Sequence, residues 1–435
     1  MEFKSDAVSL LLHRSGLSPS AWDLETLTRL NLAQMRIGFY GGASSIPVHP
    51  TWLTPSGSLP KDAPVAVALV DEREIRCALV TFTEEGPTVE PGDSFPVPGG
   101  EYPAPLEDLL FAVAELIEPL LTRASGVVLS LSLPLILDAT GDRHILSLPP
   151  GLTLSGWESA PLAVGLHREL ESRGYAPLPV LAVPTVASVL LDGVAAQSGS
   201  RYLGYIWDSR IGSSFAAPES TILKMKTGKN TLTILDTGAG GFTGVPMDTI
   251  DLTLDRDAPR PGLDLMDKMA GTEHLGDLFR LAMLKGAEEG LLTFMCRRDF
   301  LSLRHLSLEA LLSFLDNPEG DGIIASYCSH DSKDRDVAVI LGQAVLERAA
   351  ALVCAGISAL LSLTGAGRDA QQPAVLSLYG TGTQSSRLMA LLEQRLESFT
   401  AGVLGHHCRL YHHPHSPFPG AAAAYLLNKS AASAT

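Results

Sequence analysis

Apolar positions along this chain change period several times, and each change marks an element. Leucines recur at helical spacing over 21–38 and stop at Gly41-Gly42, which predicts a helix closed by glycine. Two continuous apolar runs, 65–70 and 75–82, are separated only by Asp71-Glu72-Arg73-Glu74 and predict a hairpin. An amphipathic pattern predicts a helix over 106–121, with a second at 162–174. Buried strands are predicted at 126–134 and 179–184. A second half opens with strands at 202–207 and 231–242, the latter running into glycines. Helices follow at 265–269, 274–285, 337–363 and 385–396, with a strand at 374–380 and a last strand, turn and helix. The recurring order of hairpin, helix, strand, helix, strand indicates α/β layers with mixed sheets.

Composition narrows the class. Hydrophobic residues make up 46% and charged residues 18% of 435 positions, a globular balance. A net charge of −16 opposes nucleic-acid and anionic-membrane partners. Five scattered cysteines without a C-x-x-C pair suit reduced, buried thiols. The first 16 residues carry an early acid and no apolar core, so they read as a helix and not as a signal peptide. The apolar run 349–363 is shorter than the roughly 20 residues a membrane span needs, so a buried helix is expected. A cytoplasmic protein without membrane contact is the expectation.

Four stretches, in order, resemble the eukaryotic-type hexokinase family. SIPVHPTWLTPSGSLP (45–60) is similar to the linker before the first hairpin. DLTLDRDAPRPGLDLMDKMAGTEHLGDLFR (251–280) resembles the stretch holding N-P-G-Q, E-K-M and Y-L-G-E-x-x-R. LERAAALVCAGISALL (346–361) resembles the buried R-A-A helix, and PGAAAAYLL (419–427) the final G-A-A helix. The resemblance implies a two-lobed actin-like ATPase, ribonuclease H-like fold with mixed sheets flanked by helices. It implies a small lobe at 63–185, to which the C-terminal helix 420–435 could return, and a large lobe at 1–62 and 186–419.

The resemblance also implies a sugar kinase, and there the residues depart. The family's D-x-G-G-T-N-x-R falls on Leu69 to Arg76, so the aspartate is Leu69 and the glycines are Asp71 and Glu72. Phosphate loops need glycines so that backbone N–H groups approach the anion. Here side chains intervene, and three carboxylates would repel a triphosphate. The acidic trio reads either as a solvated turn or as a rebuilt Mg²⁺ site. The second loop, G-T-G-T-N, falls on Asp208-Ser209-Arg210-Ile211-Gly212. Arg210 could bind an anion or pair with Asp208. The D-G-S turn falls near Leu378 to Thr381, and the last phosphate loop on His415 to Ala422, where two prolines remove N–H donors.

At the sugar end, Ser132 matches the serine of F-S-F-P, while T-K-G becomes Pro149-Pro150-Gly151. N-T-E-W-G-A-F becomes Asp236 to Phe242, so the glutamate ligand is Gly238; Asp267 keeps an acid at the E-K pair. Ala182-Val183-Pro184-Thr185-Val186 replaces the strand end whose N-D supplies a sugar ligand and the catalytic aspartate. Proline cannot act as a general base. No catalytic residue is assigned; a displaced acid would have to be Asp208, Asp236 or Asp267. Neither ATP nor Mg²⁺ is expected as a cofactor. The segment 405–416 packs five histidines with Cys408, a zinc-like set. Alternation along a strand would split these side chains between two faces, so no metal is expected.

Three functions compete. In the first, the cleft binds an apolar or mixed-polarity small molecule and catalyses non-phosphoryl chemistry such as cyclisation in a biosynthetic pathway. Ser132, Thr185, Asp208, Arg210, Asp236, Thr237 and Asp267 are its candidate anchors. In the second, the chain is a non-catalytic regulator acting through a protein partner. In the third, it is an ATP-dependent phosphotransferase with a relocated base.

Overall fold

The computed structural model describes residues 2–18, 23–137, 141–149, 151–158, 160–175, 178–196, 201–225 and 229–432. Two mixed sheets organise them. The first has the strand order Val180–Pro184, Val127–Leu131, Val65–Val70, Glu74–Thr83, Gly86–Pro96. The first three strands run parallel and the last two antiparallel. Val65–Val70 is buried at every position because both faces are covered. Ala66, Ala68 and Val70 pack in the core that includes Leu109 and Val113 of helix Leu106–Ile117. Val65, Val67 and Leu69 pack in the core that includes Ala421 and Ala424 of helix Phe418–Ala432. A central strand covered on both faces reads as an unbroken apolar run, as the sequence does here.

The second sheet orders its strands His49–Pro50, Leu232–Asp236, Ile211–Pro218, Tyr202–Trp207, Ala374–Tyr379, Cys408–Tyr411. Its helical layer centres on Ser332–Thr364, which packs against Leu24–Phe39, Leu275–Glu288 and Ser386–Arg395. This is the one helix among the described residues long and apolar enough to cross a membrane, and 78% of that apolar stretch is enclosed by protein. Two of the family-like stretches meet in this layer. Arg348 donates to both carboxylate oxygens of Asp251, at 2.9 and 2.7 Å, with both side chains buried. Helix Thr185–Ala196 lies between the sheets, buried from Thr185 through Gly193.

Several elements differ from the sequence-based expectation. The helix beginning at Leu106 leaves α geometry after Ile117 and tightens through Glu118–Leu120, where Pro119 withholds an N–H. Leu24–Phe39 starts after Asp23, whose side chain accepts from the N–H groups of Glu25 and Thr26; Ala21 and Trp22 lie outside the described residues. Strand Gly86–Pro96 escaped the pattern because it is a largely exposed edge strand with three prolines. Helices Thr249–Asp257, Phe294–Ser302 and Leu308–Asp316 also escaped it, the first two being short and polar.

Candidate functional site

A cleft of about 830 Å³ opens between the two sheets. One wall is the hairpin turn Asp71 to Glu74 with Arg76, then Leu131 to Pro134 and the junction Pro184-Thr185-Val186. The other wall is the loop Asp208 to Gly212, with Asp236, Gly238, Thr272, Glu273 and Tyr379 to Thr381. The junction is held in place by strand pairing, since Pro184 sits opposite Leu131 in parallel register.

Carboxylates of the chain itself occupy the backbone donors of the loops. Asp71 Oδ1 accepts from the N–H groups of Arg73 and Glu74, at 2.9 Å each. Asp208 Oδ1 accepts from Ser209 N–H at 2.9 Å and from Thr381 Oγ1 at 2.8 Å. Asp267 Oδ1 accepts from Ile211 N–H at 2.6 Å. At the last loop, Asp192 accepts from Gly420 N–H at 2.6 Å and from the Ser416 hydroxyl. A backbone donor already bonded to an acceptor of the chain is not free to bind an anionic ligand.

The two walls also bind each other. Arg76 Nη2 donates to Tyr379 Oη at 2.6 Å, and Ser209 Oγ donates to Glu72 at 3.3 Å. Arg210 Nε lies 3.9 Å from both Glu72 and Asp267, so it faces these acids and not Asp208. The acidic trio of the turn is likewise divided: Asp71 and Glu74 lie 3.4 and 3.1 Å from Arg76, while Glu72 turns to Ser209 and Arg210.

Of the expected anchors, Ser132, Thr185, Asp208, Arg210 and Asp236 line the cleft. Ser132 Oγ donates to Thr185 Oγ1 at 3.2 Å, and Ser130 Oγ lies 3.3 Å from the same hydroxyl. Thr237 does not reach the cleft; it is fully buried, with its hydroxyl 2.7 Å from Ser213 Oγ. Strand alternation turns it away from the face that Asp236 presents. Asp267 sits behind Arg210, almost wholly buried, and is not part of the lining. Neither Pro149 nor Gly151 lines the cleft, and Pro150 lies outside the described residues. Gly238, at the family's glutamate, adopts φ +63°, where a side chain would be strained. Gly240 keeps the family's glycine, because a Cβ there would fall 2.0 Å from Asp267 Oδ1.

Burial dominates the acid–base character of the site. It pushes Asp236 up to about 6 and Asp267 up to about 7, against the opposing pull of Arg210 and of backbone hydrogen bonds. Burial also raises Glu72, and it pushes the Tyr379 phenol to about 12. The family-like substitutions point to a more apolar cleft, but the lining is of mixed polarity. It carries Leu131, Leu133, Pro184, Val186 and Ile211 beside seven carboxylates: Asp71, Glu72, Glu74, Asp208, Asp236, Glu273 and Glu309. Three arginines, at 73, 76 and 210, leave four negative charges in excess among the described residues. Sequence reasoning missed Glu273 and the role of Tyr379, although both lie in family-like stretches, because neither stands at a matched motif position, and it missed Glu309, which lies in no such stretch. The acids at 71–74 were visible, but not the partners that divide them.

Two mixed sheets with a cleft between them and the chain's last helix packed on the first sheet define a two-lobed fold of the actin-like ATPase type. The hexokinase profile matches residues 211–427. The hexokinase-like 1 protein of Arabidopsis thaliana is 26% identical over 146 residues, 32% of this chain and 28% of its own length. Hexokinase type 1 of Drosophila melanogaster is 27% identical over 119 residues, 26% of each chain. The matches therefore span under a third of these relatives. A hexokinase from Schistosoma mansoni, solved with glucose, superposes with a TM-score of 0.78 over 98% of this chain and 99% of its own, at 16% identity. The chain belongs to the hexokinase family.

Proposed function

We propose that this chain has left sugar phosphorylation and that its cleft binds a small molecule of mixed polarity. The observation that carries this is the capping of the loop amides by Asp71, Asp208, Asp267 and Asp192. Phosphoryl transfer depends almost entirely on positioning and on stabilising negative charge. Here the donors that would do so are bonded to internal carboxylates, and the lining is net negative. Pro184 adds the loss of a base, typically worth about 10²–10⁴ in rate.

What remains is an enclosure that combines apolar walls with a few hydroxyls and carboxyls, the usual make-up of a small-molecule site. Such a cleft can hold a flexible substrate in one folded conformation, with Asp236 as a proton donor or acceptor near neutral pH. Cyclisation within a biosynthetic pathway is the reaction class that uses these means.

The test is a thermal-shift screen of the full chain against glucose, MgATP and a library of apolar and mixed-polarity metabolites, with ADP release followed in parallel. Stabilisation by library members, without an MgATP shift or ADP release, is expected. Glucose-dependent ADP release would overturn the proposal.

A further inference from the structure

We propose that the cleft's ligand is an organic cation, an amine whose ammonium pairs with Asp236 while its apolar body lies against Leu131, Pro184 and Val186. This rests on the small-molecule reading of the cleft and adds the sign of the ligand's charge and its anchor.

Charge pairing across the cleft singles out Asp236. Arg76 is engaged by Asp71, Glu74 and Tyr379. Arg210 lies between Glu72 and Asp267, and Arg73 lies 4.0 Å from Glu273. The three guanidiniums are thus all faced by carboxylates, Arg76 at hydrogen-bond distance and Arg73 and Arg210 at 3.9–4.0 Å, so an anionic ligand approaching any of them meets an acid of the chain. Among the described residues, Asp208 has no cation within ion-pair distance but is satisfied by Ser209 N–H and the Thr381 hydroxyl, and Glu309, likewise without an ion pair, is exposed to solvent. Asp236 is different. Its Oδ1 accepts from Gly238 N–H at 2.9 Å, no cation among the described residues forms an ion pair with it, and it lines the cleft.

Asp236 is also set among low-dielectric neighbours. Its strand partner Ser214 is fully buried and donates to the Val186 carbonyl, which places the acid beside the Pro184-Thr185-Val186 junction. Burial holds its proton up to about 6 against the pull of Gly238 N–H and Arg210, so at neutral pH the site contains a desolvated carboxylate that no cation among the described residues touches. An opposite charge brought close to such a group gains far more than it would in water. The nearest cation, Arg210, acts on Asp236 only from a distance and faces Glu72 and Asp267, so the position beside Asp236 is left to a cationic ligand. The same preference is imposed at longer range by the excess negative charge of the lining and by the chain's −16.

The test uses one apolar body with three charges: 1-adamantanemethylamine, 1-adamantanemethanol and 1-adamantanecarboxylate, titrated calorimetrically into the full chain and its Asp236→Asn variant at pH 7.5. Expected is at least tenfold tighter binding of the amine than the alcohol, with no measurable binding of the carboxylate. In Asp236→Asn the amine's advantage should fall at least tenfold while alcohol binding persists, which also shows that the variant is folded. If the variant does not fold, the preference in the native chain should still weaken as NaCl rises from 20 to 500 mM. Equal binding of amine and alcohol, or a salt-insensitive preference, would overturn the cation assignment and leave the cleft reading intact. Failure of all three probes together with the metabolite library would overturn both.

Discussion

Arg76 Nη2 meets Tyr379 Oη at 2.6 Å, joining the end of one sheet to the end of the other across the cleft. Arg76 stands at the arginine of the family's first phosphate loop and Tyr379 within its D-G-S turn, but neither motif predicts that the two meet. Arg76 is about a third exposed, at 32%, so the bond is worth less than a buried charge-assisted one. Tyr379→Phe is expected to cost about 1 kcal/mol in urea unfolding. Hydrogen exchange at residues 71–76 should accelerate; unchanged exchange would show that the contact does not hold the walls together.

Restoring the lost base is expected to restore nothing. Pro184→Asp places a carboxylate at the family's catalytic position, but the loop amides stay capped by Asp71, Asp208 and Asp267. A coupled assay with glucose and MgATP should detect no ADP above background. The variant should also unfold more easily, by about 1–3 kcal/mol, since Pro184 is buried in the strand.

The Asp251–Arg348 pair holds together two stretches that carry the family resemblance. Arg348→Met leaves Asp251 buried without its counter-charge, and a loss of about 3–5 kcal/mol is expected in chemical unfolding. A double variant with Asp251→Asn should recover part of the loss. Recovery stays partial because the new amide can still accept from Asp248 N–H through its oxygen, but its NH2 is buried opposite a methionine with no acceptor there.

Asp192 makes stability depend on pH. Burial raises it from an ordinary carboxylate value to about 7 in the folded chain. Between about pH 4 and 7 the folded chain keeps a proton that the unfolded chain releases. Its contribution to stability therefore falls as pH rises through that window and levels off above it. Asp192→Asn removes this titration and leaves an acceptor for Gly420 N–H. Relative to the native chain, the variant should gain up to about 1.4 kcal/mol per pH unit across the window. Parallel pH profiles would refute the assignment.

The amino-acid order alone determines much of this protein. The unbroken run Val65–Val70, the leucine spacing of Leu24–Phe39 and the apolar length of Ser332–Thr364 specify their elements because burial imposes a period on each. The sequence also shows that acids stand where a phosphate loop would need glycines. Only the tertiary structure decides where those acids point. Asp71 and Asp208 turn back on their own loops, Glu72 crosses to Ser209 and Arg210, and Asp236 is left lining the cleft without an ion pair among the described residues. Thr237, adjacent to Asp236, is turned into the core by strand alternation. Periodicity records which face of an element is buried. Which charge meets which is settled when residues far apart in sequence, such as Arg76 and Tyr379, are brought within hydrogen-bond distance by packing.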